Sequence, residues 1–250
     1  MKKVVNGNSD VKQNTVAIIP ARGGSKRIPN KNIKKFCGRH MLSYPIQAAK
    51  TSGLFDRIIV STDSKEISKV ARECGAEVPF MRPLDLADDY TGTNAVVRHC
   101  LQWLTEQGVM PIYACCIYAT TPFLQPEFLQ KGFRLLKESK GSFAFAVTSF
   151  PSPILRAVKI REDGMLDAFF PEFVPKNSQD LEKAYHDAGQ FYWGTAKSFL
   201  SKIPLFSPSS IPVVLPRYFV QDIDEPDDWR RAELMYMAWV NEKAENIINE

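Results

Sequence analysis

Residues 15–32 read TVAIIPARGGSKRIPNKN, a short apolar run followed at once by a loop rich in Gly, Lys and Arg. The run from Thr15 to Pro20 predicts a buried strand, and open α/β sheets bind ligands beyond the carboxyl ends of such strands. Two glycines allow backbone N–H groups to approach phosphate oxygens, and Arg22 can bind two of those oxygens at once. The loop matches neither GxxxxGK(S/T) nor GxGxxG. It predicts a phosphate-binding loop of another type, with a solvated turn as the alternative.

Downstream, the apolar pattern alternates between strands and helices. Strands separated by helices of about 10–15 residues form right-handed βαβ crossovers, so the pattern predicts an α/β fold with a mostly parallel sheet. Gly53 and Gly75 are typical helix-ending residues, and Asp63 with Ser64 is a typical helix start. The predicted strands cover residues 15–20, 57–60, 112–118, 142–148 and 190–193, and the predicted helices cover residues 43–52, 64–74, 92–107, 126–138 and 224–248.

The pattern changes after Phe150, where two short segments flank the turn Glu162-Asp163-Gly164. Such a turn predicts a β-hairpin, here over residues 155–170, which we expect to lie over the main sheet. The economical description is a single domain over residues 1–250. It would have a flexible N-terminus at about 1–14 and an inserted hairpin element at about 150–187.

The charge of the chain is mild, because 32 Lys and Arg against 28 Asp and Glu give a net charge of +4. Proteins that bind nucleic acid usually carry a basic stripe and a higher pI, so no nucleic-acid partner is expected. The basic residues near the start of the chain form a local cluster, which favours a small anionic ligand. They are Arg22, Lys26, Arg27, Lys31, Lys34 and Lys35.

The five cysteines are scattered and have no metal-binding spacing, which is typical of a reducing compartment. Residues 1–14 are polar and lack the apolar core of a signal peptide. No stretch approaches the roughly 20 apolar residues that a membrane helix needs. We therefore expect a cytoplasmic protein with no membrane association.

The loop at residues 19–32 resembles the signature loop of the CMP-sugar synthetases, the family that includes CMP-sialic acid synthetase. Further motifs of that family follow in order, and together they span residues 16 to about 230. They are Val60-Ser61-Thr62-Asp63, Arg82-Pro83, Leu86-Ala87, Asp89, Thr91-Gly92-Thr93, Thr120-Thr121-Pro122-Phe123-Leu124, Gly189-Gln190-Phe191-Tyr192 and Asp222-Ile223-Asp224.

The resemblance implies a Rossmann-like nucleotidyltransferase sheet flanked by helices, with the β-hairpin insertion used for dimerisation. It implies that CMP is transferred from CTP to the anomeric hydroxyl of a nonulosonic acid, with release of pyrophosphate. Catalysis would then consist mainly of positioning and charge neutralisation by Arg22, Lys26 and Lys31. The implied partners are CTP, the sugar acid and a second copy of the chain.

The resemblance also assigns residues to the nucleotide. Lys31 would lie near the α-phosphate, and Asn32 and Arg82 would contact the cytosine or ribose. For Arg82 the alternative is a surface ion pair. For Thr93 the alternative is a helix cap, a role that is compatible with nucleotide contact. The implied nucleotide-binding residues are Ala21, Arg22, Gly23, Gly24, Ser25, Lys26, Asn32, Arg82, Thr91 and Thr93.

Asp222 and Asp224 resemble the metal-binding pair of the family. Residues two apart on an extended segment point the same way and can hold one cation that prefers oxygen ligands. Mg²⁺ is the implied ion, with Mn²⁺ as an alternative, because phosphates would supply the remaining oxygens. The competing interpretation is that Asp224 only caps the final helix.

The sequence departs from the sialic acid enzymes at two places. Tyr118 stands where those enzymes usually carry a Gln, and residues 188–193 replace an Asn-Gly pattern. An aromatic wall accommodates the extra methyl groups of a bis-acetamido sugar acid, so these features resemble the branch that acts on pseudaminic acid. The candidate sugar-binding residues are Tyr118, Thr120, Arg156, His186, Gln190 and Tyr192.

Other interpretations of the sequence are compatible with these motifs. The two departures could be variation among enzymes for N-acetylneuraminic or legionaminic acid. The chain could also bind nucleotide without turnover as a regulatory module, or act as a structural subunit that associates through its aromatic hairpin. Asp222 and Asp224 argue against the regulatory module, because nucleotide binding alone needs no metal pair.

Overall fold

The computed structural model describes residues 14–88 and 90–248. The predicted flexible N-terminus lies outside these residues apart from Asn14, and so does Asp89 of the family motif. No helix in these ranges combines the length and the apolar character needed to cross a membrane.

The described chain folds into strands and helices in the alternating order that the sequence predicts. The strands are β1 Thr15–Pro20, β2 Lys35–Phe36, β3 Arg39–His40, β4 Arg57–Ser61, β5 Tyr113–Ile117, β6 Phe143–Ser149, β7 Val158–Ile160, β8 Leu166–Ala168, β9 Tyr185–Thr195 and β10 Ser210–Val214. The helices are α1 Ser43–Ser52, α2 Lys65–Glu73, α3 Thr93–Glu106, α4 Pro126–Glu138, α5 Ala196–Leu200 and α6 Pro226–Ile248.

The main sheet contains six strands in the order β10-β6-β9-β5-β1-β4. β1 pairs in parallel with β4 and β5, β6 pairs in parallel with β10, and β9 runs antiparallel between β5 and β6. The mostly parallel sheet is therefore confirmed. The carboxyl ends of its five parallel strands and the first residues of β9 meet at one edge, where an open α/β sheet binds its ligand.

Local signals account for the helices. The Ser64 side chain accepts a hydrogen bond from the Ile67 N–H (3.3 Å) and so caps α2, as the sequence indicates. Gly53 ends α1 in the left-handed region, at φ 66°. The side chain of Asp228, in the first turn of α6, accepts hydrogen bonds from the backbone N–H groups of Asp224 (3.1 Å) and Glu225 (2.9 Å).

Four features of the sheets differ from the sequence-based prediction. β9 is longer than the aromatic segment 190–193, and its antiparallel direction was not anticipated. The β2–β3 ribbon and β10 were not predicted. Pro212 obscures the strand pattern of β10 and is tolerated because β10 is an edge strand.

β7 and β8 do form a hairpin, but the expected position over the main sheet is wrong. They form a separate sheet in which Val158, Lys159, Ile160 and Leu166 are exposed.

The core lies on both faces of the main sheet, and aromatic residues of β9 pack tightly within it. Trp193 is fully buried, donates its indole N–H to the Leu129 carbonyl oxygen (3.0 Å) and stacks on Phe55 at 5.0 Å between ring centroids. Beside it, Gly194 pairs with Ala114 and Phe143. An added Cβ at Gly194 would lie 2.6 Å from Phe143 Cδ1 and 2.9 Å from Phe199 Cε2.

We predict that Gly194→Ala lowers the free energy of unfolding by about 1–3 kcal/mol, because buried rings would have to move to admit a methyl group. Urea denaturation measures this change. Gly24→Ala is the matched control, since an added Cβ there has no atom within 4 Å and should change stability by less than about 0.5 kcal/mol. Equal stability of the two variants would contradict the packing argument.

Candidate active site

Two clefts adjoin at the carboxyl edge of the main sheet. The first has a volume of about 290 Å³ and is formed mainly by the loop after β1, the segment before α3 and the residues after β5. The second has a volume of about 790 Å³ and is formed by the ends of β6 and β9 and by residues 217–235. Tyr118, the first residue after β5, lines both clefts and marks their junction.

The loop after β1 is held from two sides. The Ala21 N–H donates to the Ser61 carbonyl oxygen (2.9 Å), and the Gly23 N–H donates to Asp63 Oδ1 (2.9 Å). An added Cβ at Gly23 would lie 3.1 Å from Ser64 Cβ, so the loop approaches the start of α2 closely. The buried side chain of Asn32 donates to the Arg22 carbonyl oxygen (2.9 Å). Tethers at Ser61 and Asp63 therefore fix the loop beside the end of β4.

Only part of the predicted nucleotide set lines the first cleft. Arg22 reaches across it and donates to the Asp88 carbonyl oxygen (2.9 Å). Lys26 is exposed on the same loop but does not line the cleft, and neither do Ala21, Gly23 or Gly24. The predicted nucleotide or catalytic residues that do line it are Arg22, Ser25, Lys31, Asn32, Arg82, Thr91 and Thr93.

Arg82 is buried beneath the first cleft. Its Nε donates to Ser61 Oγ (3.1 Å), and a second guanidinium nitrogen donates to the Ser61 carbonyl oxygen. Burial lowers its pKa from the usual value. The alternative of a surface ion pair is therefore wrong, because the side chain is only 5% exposed.

Thr93 and Thr91 lie at the start of α3. Gly92 is the N-cap of that helix and Thr93 its first residue, so the alternative of a capping role for Thr93 is wrong. Thr93 lines the first cleft together with Tyr118. The Thr91 hydroxyl donates to the Asp85 carbonyl oxygen (3.2 Å).

Asp224 is the centre of an ionic cluster that joins the loop to the C-terminal segment. Arg27 lies 2.9 Å from Asp224 Oδ2, and Lys31 Nζ lies 3.2 Å from Asp224 Oδ1 and 2.7 Å from the Ile223 carbonyl oxygen. Partial burial opposes ionisation of Asp224, but Lys31 and then Arg27 outweigh it and lower its pKa. Since Asp228 caps the helix, the alternative that Asp224 only caps α6 is wrong.

Asp222 lies on the other side of the junction. It lines the second cleft whereas Asp224 lines the first, so the two side chains do not face a single cleft as expected. Partial desolvation and then the charge of Asp224 raise the pKa of Asp222, and Lys31 offsets this only in part. The junction therefore carries negative charge that is incompletely compensated.

This charge fits a divalent cation. Among the described residues, no group of three or more His, Cys, Asp or Glu side chains could hold a metal ion. A cation at Asp222 and Asp224 would therefore need further oxygens from a bound ligand. Mg²⁺ is often held in this way, by one or two carboxylates together with substrate phosphates.

The wall of the second cleft is built on the first residues of β9. Gly189 has φ 59° and its N–H donates to Asp187 Oδ1 (2.9 Å). The Tyr192 hydroxyl donates to Asp187 Oδ2 (2.6 Å), and the rings of Tyr192 and Tyr118 lie 5.2 Å apart. His186 Nδ1 lies 2.8 Å from the Asp187 carbonyl oxygen. Asp187 thus orders this wall, a role that the sequence did not indicate.

Three candidate sugar-binding residues do not line the second cleft. Thr120 lines the first cleft rather than the second. Gln190 is buried, lines neither cleft and donates its side-chain amide to the Phe219 carbonyl oxygen (2.5 Å). Arg156 also lines neither cleft and donates to Ser178 Oγ (3.2 Å) beside the β7–β8 hairpin. Tyr118, His186 and Tyr192 do line the second cleft.

Charged residues that the sequence-based set omitted also line the clefts. Arg27 belongs to the basic cluster of the loop, which was the available signal for it. Asp187, Arg217 and Arg231 lie in segments without a recognisable local pattern. They line the second cleft because β9, β10 and α6 converge there.

Comparison with known proteins gives concordant results. The sequence pattern of the family described as Cytidylyltransferase matches residues 16–160. A pseudaminic acid cytidylyltransferase of Campylobacter jejuni is 43% identical over 88% of this chain and 95% of its own length. A CMP-N,N'-diacetyllegionaminic acid synthase of Legionella pneumophila is 32% identical over 87% of this chain and 94% of its own length.

Solved structures agree with the fold. CMP:2-keto-3-deoxy-manno-octonic acid synthetase, in complex with CTP, superposes with a TM-score of 0.66 at 14% identity, covering 90% of this chain and 98% of its own. The 4-diphosphocytidyl-2C-methyl-D-erythritol synthase of Anaerococcus prevotii gives 0.61 at 16% identity, covering 89% and 98%. At these identities the two structures establish the fold alone.

We predict that Asp63→Ala speeds amide hydrogen exchange in residues 21–27 by at least about fivefold, because the Gly23 N–H loses its acceptor. Asp56→Ala is the matched control. Asp56 Oδ2 accepts a hydrogen bond from the Thr15 N–H (2.9 Å) at the opposite end of β1, so its loss should affect Thr15 and leave the loop unchanged. Unchanged exchange of the loop in Asp63→Ala would show that Asp63 does not order it.

Proposed function

Because this chain belongs to the cytidylyltransferase family, we propose that it transfers CMP from CTP to pseudaminic acid and releases pyrophosphate. Two adjoining clefts that meet at Tyr118 and the aspartate pair carry this proposal, because the reaction needs a nucleotide and a sugar side by side. The choice of sugar is supported by the order of identities. Three relatives named for pseudaminic acid are 37–43% identical, and one named for legionaminic acid is 32% identical.

CTP would occupy the first cleft. Arg22 and Lys31 would contact its phosphates together with Ser25, and Lys26 would swing in from the exposed face of the loop. The base and ribose would lie against Asn32, Arg82, Thr91 and Thr93. Cytosine offers an amino donor beside two acceptors, which suits amide and guanidinium groups. The buried guanidinium of Arg82 is held in place by Ser61, so it would need little reorganisation on binding.

The sugar acid would occupy the second cleft, with its anomeric hydroxyl directed at the junction. That oxygen would attack the α-phosphorus of CTP, the bond from phosphorus to the β-phosphate would break, and the hydroxyl proton would be released. Lys31 is already anchored at the junction by Ile223 and Asp224, and would stabilise the charge that develops on the α-phosphate. The tyrosine wall of Tyr118 and Tyr192 would exclude water from the acceptor side.

Mg²⁺ is the proposed metal, held by Asp222 and Asp224 with Mn²⁺ as an alternative. When bound, it would neutralise phosphate charge and lower the barrier to departure of pyrophosphate. Lys31 and Arg27 form ion pairs with the Asp224 carboxylate, and a bound metal ion would share that carboxylate with them.

The five free thiols are consistent with a reducing compartment, and we propose that the enzyme works in the cytoplasm.

A panel of sugar acids tests the reaction. With CTP and Mg²⁺, we expect pyrophosphate release with a kcat/KM for pseudaminic acid at least about 100-fold above that for N-acetylneuraminic acid, because acylamino groups pack well against Tyr118. Tyr118→Gln should narrow this ratio, mainly by weakening the preferred sugar. Equal efficiency with both sugars, or a preference for N-acetylneuraminic acid, would contradict the assignment of the sugar.

Metal titrations test the aspartate pair. Asp222→Asn and Asp224→Asn should each raise the Mg²⁺ concentration for half-maximal turnover by at least about tenfold, because an amide carries no charge. Calorimetry of Mg²⁺ binding in the presence of a non-reactive CTP analogue should show the same loss of affinity. Asp227→Asn is the matched control, since Asp227 is an exposed acid in the first turn of α6. A metal titration unchanged in both variants would remove the pair from the metal site.

We also propose that the enzyme is a homodimer that associates through the β7–β8 hairpin. Ile160 is 76% exposed and Leu166 is 70% exposed, with Phe169 beside them, and apolar patches of this kind seldom persist on monomers.

Sedimentation at micromolar concentration should therefore show a dimer, and Leu166→Asp should shift it to monomer. Phe206→Asp is the control, because Phe206 is an exposed apolar residue outside the hairpin. A wild-type protein of monomer mass would rule out this interface.

A further inference from the structure

Two arginines of the second cleft have no ionic partner among the described residues. Arg217 lies in a short 3₁₀ helix after β10, and Arg231 lies in α6. Within the part of the chain that the structure describes, neither guanidinium forms an ion pair or a hydrogen bond. By contrast, Arg27 pairs with Asp224 and Arg57 with Glu77. Guanidinium groups that line one cleft without an ionic partner can bind an anion, and their planar donors match a carboxylate.

The acids of the same cleft leave this positive charge available. Both carboxylate oxygens of Asp187 are occupied, one by the Gly189 N–H and the other by the Tyr192 hydroxyl. Asp222 is coupled to Asp224 and Lys31 at the junction. In the described part of the chain neither acid forms an ion pair with Arg217 or Arg231, so an incoming anion would not have to displace a carboxylate from them.

The segments that carry the arginines are fixed in place. The buried amide of Gln190 donates to the carbonyl oxygen of Phe219, the last residue of the 3₁₀ helix that Arg217 begins. The Phe219 ring packs on Phe128 at 5.2 Å between centroids. Arg231 adjoins the buried residue Ala232 of α6. Gln190 is thus a positioning residue for this wall, although it was expected to touch the sugar.

We propose that Arg217 and Arg231 bind the carboxylate of the sugar acid, an inference that rests on the proposed function. In a nonulosonic acid the carboxylate and the attacking hydroxyl are attached to the same carbon. A carboxylate held by two guanidinium groups therefore sets the direction of that hydroxyl towards the junction at Tyr118. The same contacts would make the enzyme selective for acidic sugars over neutral ones.

Single substitutions test the two residues separately. In Arg217→Met and Arg231→Met, we expect KM for the sugar acid to rise at least about tenfold, with KM for CTP changed by less than about twofold. Arg230→Met is the matched control, because Arg230 is an exposed neighbour on the same helix that lines neither cleft. Thermal melting should show that all three variants remain folded. A rise in KM for CTP equal to that for the sugar would overturn the assignment.

A neutral analogue identifies the group that is bound. The wild-type enzyme should use the sugar acid at least about 100-fold more efficiently than its carboxamide, and the double variant Arg217→Met/Arg231→Met should reduce this ratio to below about tenfold. A double variant that keeps the full ratio would overturn the inference while leaving the proposed function intact. No wild-type turnover of CTP with any nonulosonic acid would contradict the proposed function itself.

Discussion

The contact of Lys31 with Ile223 and Asp224 is the constraint on which the rest of the site depends. It joins the loop after β1 to a segment 192 residues further along the chain, and Arg27 adds a second ion pair to the same carboxylate. Sheet pairing alone brings β1, β4 and β5 to one edge, but it does not close that edge against the start of α6. The buried apolar cluster that contains Ile28, Ile223 and Trp229 does so together with these ion pairs, and the junction of the two clefts lies beside them.

The two aspartates at this junction differ in how well nearby positive charge compensates them. Asp224 is stabilised as an anion by two cations, whereas partial desolvation and then the charge of Asp224 raise the pKa of Asp222. The side chains of Arg27 and Asp224 are 58% and 42% exposed, so solvent screens this ion pair and it contributes at most about 1 kcal/mol to stability. The structure is thus preorganised for a ligand that brings both anionic oxygens and a counterion.

The sequence predicted the features that depend on local patterns. The strand and loop at residues 15–32, the helices α1 and α4, and the parallel sheet all follow from periodicity and from caps. It did not predict that Gln190 lies outside both clefts, because the direction of a side chain near Gly189 depends on a left-handed residue and on a register shift between Phe145 and Val147. Arg156 lies outside them because its segment leads into the β7–β8 hairpin, which forms a sheet of its own. Arg217 and Arg231 could not be found locally, since each enters the site through long-range packing.

Because the site consists of two clefts, the proposed function assigns recognition of the nucleotide and recognition of the sugar to different parts of the fold. The first cleft is built on β1, β4 and the start of α3, which are all strongly constrained by buried contacts such as those of Arg82 with Ser61. The second cleft is lined from β9, from the segment after β10 and from α6. Under the proposed function, a change there would alter the recognised sugar without disturbing the loop after β1, except at Tyr118. That tyrosine lines both clefts, so under the proposed function a substitution there would affect the acceptor side and the nucleotide side together.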